Sequence, residues 1–141
     1  GLLVGVGRST DSSGAENELK LCLWDVSNPR DMKKLFVSPI TGNGSDAETP
    51  DIYGATLFDG IHHQIGIPAY NLDSGMKTYS MFSFDRQTGF QLSGNIGNDT
   101  ETFEQIQRGI LINNVWYMCS PDKIVRYSAD TLQQKDSIKL I

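Results

Sequence analysis

Cysteine and histidine are scarce, with two of each in 141 residues. Cys22, Cys119, His62 and His63 are too few and too scattered to frame a structural zinc site. Each cysteine sits inside an apolar, strand-like run (LKLCLWDV and VWYMC), where a free thiol packs as a small hydrophobe. Two buried thiols are therefore expected in preference to a disulfide. No apolar run approaches the ~20 residues that a bilayer-crossing helix needs, and no signal-peptide pattern opens the chain. The chain starts at Gly1 inside an apolar run, without Met, so it is expected to be a piece of a longer protein. Basic clusters are missing too. The 12 Lys and Arg are scattered, the densest spot is the pair Lys33-Lys34, and the net charge is −5. Such a chain is a poor match for a phosphate backbone, so no nucleic-acid partner is expected.

Patterns for catalysis and cofactors are equally thin. Gly5-Val6-Gly7 begins a G-x-G pattern, but no third glycine or helix follows in the dinucleotide fingerprint position. Serine is plentiful, yet no G-x-S-x-G elbow occurs. No catalytic residue and no cofactor is assigned.

What the chain does hold is short strands. No window of a dozen residues sustains a helical period. Strand-like segments at 1–7, 18–26, 33–37, 52–59, 64–70, 77–85, 90–92, 115–119, 123–127 and 135–141 alternate with polar, turn-rich stretches. A segment at 103–112 reads as a helical turn entering a strand, and Asn113-Asn114 is a hairpin signal because Asn tolerates positive φ. Regular spacing of this kind argues for an all-β fold: a sandwich, a barrel or a propeller.

An internal repeat narrows the choice. Trp24, Phe84 and Tyr127 each close an apolar strand. Two residues earlier stand Cys22, Phe82 and Val125, and three residues earlier Leu21, Met81 and Ile124. Asp25, Asp85 and Ser128 follow, each leading into a turn and a further strand. Strand, tight turn, strand, loop, aromatic-ended strand, turn, strand is the plan of one propeller blade. Strands covered on both faces also explain why LKLCLWDV is apolar on both alternating sets. The fold class expected is a β-propeller fragment of about three four-stranded blades, with units at about 1–40, 52–98 and 103–141 and the first lacking its opening strand. A sandwich or barrel is the alternative. Closed propellers have ~4–8 blades, so an arc of three implies either missing blades of a longer chain or a second copy, two arcs giving six. Trp24 is expected to lie buried between blades, with Asp25 capping its turn.

The run ELKLCLWDVSNPRDMKKL resembles that of secreted and cell-surface prokaryotic proteins with a C-terminal β-propeller domain distantly related to WD repeats. Gly7-Arg8, Ile65-Gly66-Ile67-Pro68, Phe84-Asp85 with Gly89-Phe90, and Val115 to Leu132 match further pieces in the same order. The resemblance implies an extracellular or cell-envelope setting, the C-terminal part of a longer propeller, and no established catalytic residue. The Asp-rich loop usual after the Gly-Arg element is thinned here to Asp11-Ser12-Ser13-Gly14-Ala15-Glu16.

Asp11, Glu16 and Glu18 are the only calcium candidates. Their spacing does not match an EF-hand-type loop, and a solvated loop is the simpler reading. His62 and His63 are read as surface residues, and their adjacency on a strand would point them to opposite faces. Asp25 and Asp85 are read as turn caps. Two functions follow. One is a non-enzymatic interaction module that binds protein or glycan through propeller loops. The other is part of an enzyme with its site at the propeller axis. Two shifted titratable groups in one concavity would favour the enzyme. An apolar, polar-rimmed surface would favour binding.

Overall fold

The structure is a computed structural model that describes residues 1–10, 12–14, 16–40, 56–71, 76–96 and 108–140, the side chains of 16–18, 69–71 and 76–78 excepted. The described residues form eleven antiparallel strands in three sheets. The first sheet holds β1 (Leu2–Thr10), β2 (Glu16–Asp25) and β3 (Lys33–Pro39). The second holds β4 (Leu57–Asp59), β5 (Gln64–Asn71), β6 (Met76–Asp85) and β7 (Gly89–Ile96). The third holds β8 (Arg108–Ile112), β9 (Val115–Cys119), β10 (Lys123–Ser128) and β11 (Gln134–Lys139). Each sheet is a meander in which every strand pairs with its neighbour in sequence. This is the all-β, propeller-fragment architecture that the repeat predicts, with a three-stranded first blade.

The segment at 8–17 departs from its reading as a loop. β1 runs on to Thr10 and β2 begins at Glu16, with Arg8 opposite Leu19 and Thr10 opposite Glu16. The ladder continues through polar residues because one face of that hairpin end needs no apolar partner. Residues 52–55 of the predicted strand at 52–59 and the helical turn proposed at 103–107 lie outside the described residues, and β4 begins at Leu57. No helix among the described residues is long and apolar enough to cross a membrane.

Strand pleating sorts the side chains into two inter-blade cores. Leu19, Leu21 and Leu23 from β2 meet Ile65, Ile67, Phe82 and Phe84 from the second blade. The other face of that blade sends Leu57, Tyr79, Met81 and Ile96 against Trp116, Met118, Val125 and Tyr127 of the third. The middle blade is thus covered on both faces. Gly109 makes the second contact close, and Gly66 makes room for side chains of its own blade. A Cβ on Gly109 would sit 2.1 Å from Leu57 Cδ2, and one on Gly66 2.5 Å from Met81 Sδ.

The register of the repeat holds in three dimensions. Phe84 and Tyr127 are both buried against the preceding blade. Trp24 occupies the same position of blade one and turns the same way, away from the core of Leu19, Leu21 and Leu23. No blade among the described residues covers that side, so Trp24 is half-buried and not sealed between blades, contrary to the expectation. Its ring lies under Lys34 Nζ at 5.8 Å. The thiols are corrected for the same reason. Cys22 and Cys119 are free and half-exposed. They alternate with Leu21 and Met118, which take the buried sides, and so face outward on blades one and three.

Candidate functional site

The β2–β3, β4–β5, β6–β7, β8–β9 and β10–β11 turns lie at one end of the arc, and the Ser120–Asp122 turn between β9 and β10 lies at the other. An Asp25–Arg86 ion pair ties the β2–β3 turn to the β6–β7 turn. Gln64 Nε2 donates to the Ala129 carbonyl at 3.3 Å, tying β5 to the β10–β11 turn. The Ala129 amide in turn donates to the Asn114 carbonyl at 3.0 Å. Each turn is organised by the residue that follows the repeat aromatic. Asp25 Oδ1 accepts from the Ser27 amide at 2.9 Å. Asp85 accepts from the amides of Gln87 and Thr88 and from Thr88 Oγ1. Ser128 Oγ accepts from the Thr131 amide at 3.3 Å. The turn-cap reading of these positions is what the geometry shows.

The β4–β5 turn stands between two clefts at this end. The first, between blades one and two, has a volume of about 660 Å³ and is lined by Phe58, His63, Phe84, Asp85, Arg86 and Gln87, with Leu2 and two glycines. Phe58 and Phe84 stack at 6.0 Å and His63 and Phe84 at 5.2 Å. The second, between blades two and three, measures about 690 Å³. Leu57, Leu111 and Trp116 line it, with Thr56, Asp59, His62, Asn113 and Asn114 as its polar members. Asn113 and Asn114 both have positive φ, as the hairpin signal predicts. The two histidines lie in the β4–β5 turn and not on a strand, with His63 at φ +53°, and they line different clefts.

Asp59 is the one buried carboxylate described, at 7 % exposure. Its Oδ1 accepts from the amides of Ile61 and His62, and its Oδ2 lies 2.5 Å from His62 Nδ1. Burial pushes its pKa up, but the His62 ring and the two amides outweigh that and hold it below the ordinary carboxylate value. Sequence reading missed this pairing. The signal was available: Asp59 and His62 have the spacing of Asp85 and Thr88, a capping residue and its side-chain partner three residues on. Asp85 is likewise lowered, by Thr88 first and then the Gln87 amide. Asp25 is held far lower, chiefly by Arg86 and then by Ser27. Asp136 is lowered by Arg126.

Each cleft therefore holds one shifted carboxylate, and each shift is explained by turn capping. The lining of the second cleft offers an imidazole anchored at Nδ1 and the hydroxyl of Thr56, but neither serine nor cysteine. Among the described residues no three His, Cys, Asp or Glu side chains converge to hold a metal. Of the calcium candidates, Asp11 lies outside the described residues. Glu16 and Glu18 have only their backbones described, in β2 at the end away from the clefts.

These carboxylates set an acid limit on stability. A depressed folded-state pKa contributes stability that is present above the unfolded value near 4 and is lost as pH falls through the folded value. The urea midpoint is expected to stay level above about pH 5 and to drop steadily below about pH 4. In Asp25→Asn that drop should be shallower. An unchanged acid limb in the variant would show that the Arg86 pair is not formed in solution.

No curated protein and no solved structure matches the chain. A family model described as a β-propeller domain matches residues 1–132. With the three radial sheets and their two shared cores, that match places the chain in the β-propeller domain family.

Proposed function

We propose that the chain is an interaction module that binds a protein partner at the end of the arc that carries the β4–β5 turn. The observation that carries this reading is the β4–β5 turn. Ile61 at its tip is 87 % exposed, and Phe58 at its base is 57 % exposed. An isolated apolar side chain on a surface is ordinary. Here the pair flanks two clefts whose rims supply amides, carboxylates and Arg86, which is the composition of an anchor surface with a polar rim. An aliphatic tip favours a protein partner over a glycan, since sugars stack on flat aromatic faces. The enzyme reading has weaker support, because each cleft brings only one shifted acid and that acid is used by its own turn. An extracellular or cell-envelope setting belongs to this proposal on the resemblance alone. So do further blades over the two outer faces of the arc, from a longer chain or a second copy.

Peptide selection by phage display against the chain tests the reading. Enriched peptides are expected to share an apolar anchor, and Ile61→Asp combined with Phe58→Ser should weaken them at least tenfold, about 1.4 kcal/mol, with the circular-dichroism spectrum unchanged. Peptide affinities untouched by both substitutions, or enrichment only on a glycan array, would overturn it.

A further inference from the structure

Two polar atoms at the junction of blades two and three are left over by the fold. Trp116 Nε1 and Gln64 Oε1 are both buried, with no hydrogen-bond partner among the described residues. The first can only donate and the second can only accept. A buried polar group of either kind costs free energy for as long as it stays unmet. Trp116 is 1 % exposed and lines the second cleft. Gln64 stands opposite Asp59 in the β4–β5 ladder, and directly paired residues share one face of a sheet. That face looks toward blade three, since Gln64 Nε2 reaches the Ala129 carbonyl. The Ala129 amide bonds to Asn114, two residues from Trp116, so both atoms belong to the same corner of the junction.

Other polar groups of the cleft are in use. Asp59 takes the Ile61 and His62 amides and the His62 ring. Asn114 Nδ2 donates to Asp130 Oδ2 at 2.6 Å. The unmet demand is therefore specific: one acceptor for an indole N–H and one donor for a carboxamide oxygen. A carboxylate supplies acceptors alone and an ammonium supplies donors alone. A carboxylate would also stand beside Asp59, which is held below the ordinary carboxylate value and so keeps its charge at neutral pH. An amide offers a donor and an acceptor from one planar group. The apolar walls made by Leu57, Leu111 and the Trp116 ring suit a short methylene stem.

We propose that the second cleft takes the carboxamide side chain of an Asn or Gln on the protein partner. The carbonyl of that group accepts from Trp116 Nε1, its NH₂ donates to Gln64 Oε1, and its methylenes lie along Leu57 and Leu111. Both protein atoms are sealed from solvent, so entry requires a side chain of the cleft to swing aside. Ile61 and His62, the exposed side chains of the β4–β5 turn, line the same cleft, and rotamer changes of that kind are common when partners dock. The inference rests on the protein-binding reading of this turn and names the partner group that enters beside Ile61.

The chain has two tryptophans, so isotope-labelled protein gives two indole N–H resonances. The probes are the end-capped tripeptides Ala-Gln-Ala and Ala-Glu-Ala, titrated at neutral pH. The Gln peptide is expected to move the Trp116 indole signal downfield and leave that of Trp24 in place, and the Glu peptide to move neither. Trp116→Phe keeps a ring and removes the donor, and Gln64→Met removes the acceptor. Each should weaken the Gln peptide about three- to tenfold, the share of one neutral hydrogen bond. A Trp116 signal that no concentration of the Gln peptide moves overturns the proposal. So does an equal response to the Glu peptide. A response to N-acetylglucosamine in place of the peptides overturns it in favour of an acetamido sugar. The two readings fail separately. If the Ile61 and Phe58 double variant loses the selected peptides while the Gln tripeptide leaves Trp116 unmoved, the turn still binds protein but the carboxamide site does not exist. If Trp116 responds while the double variant keeps the selected peptides, the carboxamide site stands and the turn is not the anchor.

Discussion

Trp116→Ala is expected to lower the unfolding free energy by about 3–5 kcal/mol, the usual loss when a fully buried tryptophan is truncated. Trp116 is 1 % exposed and sits where Leu57, Tyr79 and Met81 of blade two meet blade three. Gly109 lets the two sheets approach closely there, so the neighbours have little room to collapse into the vacated space. Against a typical total of about 5–15 kcal/mol this is a large fraction. Urea denaturation followed by circular dichroism reads it directly. Trp116→Phe should cost less than the alanine variant. It keeps a ring and removes an indole N–H that is buried without a hydrogen-bond partner among the described residues, itself a source of instability. Trp24→Ala, measured under dilute conditions, should cost far less than Trp116→Ala, because no blade among the described residues covers its ring. Equal losses for the two tryptophans would mean that Trp24 is covered in solution even at high dilution.

The second large effect is expected at Gly89, the start of β7. Its φ is +74°, and a Cβ there would stand 2.7 Å from Phe36 Cγ and 2.8 Å from Cδ1. Gly89→Ala therefore meets two penalties. A left-handed conformation costs an L-residue roughly 1–2 kcal/mol, and forcing the Phe36 ring aside adds roughly 1–3 kcal/mol of overpacking. The two are separable by a double-mutant cycle. Phe36→Ala leaves space for the new methyl, so the Gly89→Ala step should shrink to the backbone penalty in that background. An unchanged step would locate the whole effect in the backbone.

The repeat was legible because it rests on strand endings. An aromatic followed by a capping Asp or Ser leaves a mark in one dimension, and the fold uses each of those marks in the same way. The direction in which Trp24 faces was implicit in the alignment with Phe84 and Tyr127. Its exposure was not, since burial depends on whether a preceding blade is present. The thiols misled for a related reason. LKLCLWDV is apolar on both faces, and only the pairing of Leu21 and Leu23 with blade two reveals which set is sealed. The clefts were less legible still. They are made by turns far apart in sequence, such as 60–63 and 113–114, and only the approach of neighbouring blades brings these together. The Asp59–His62 pair lay within reach, because Asp59 copies the capping pattern of Asp85 one hairpin earlier.

The meander order has a consequence for how the chain reaches this state. Every ladder joins strands adjacent in sequence, so each sheet can form from one continuous segment before any blade meets another. Closing short loops is entropically mild, and folds rich in local pairing reach the native state quickly. The slow event is then the docking of preformed blades through Leu21, Met81 and Trp116. A nascent chain would complete its first blade while the third is still being made, and the sheets would assemble in the order of synthesis.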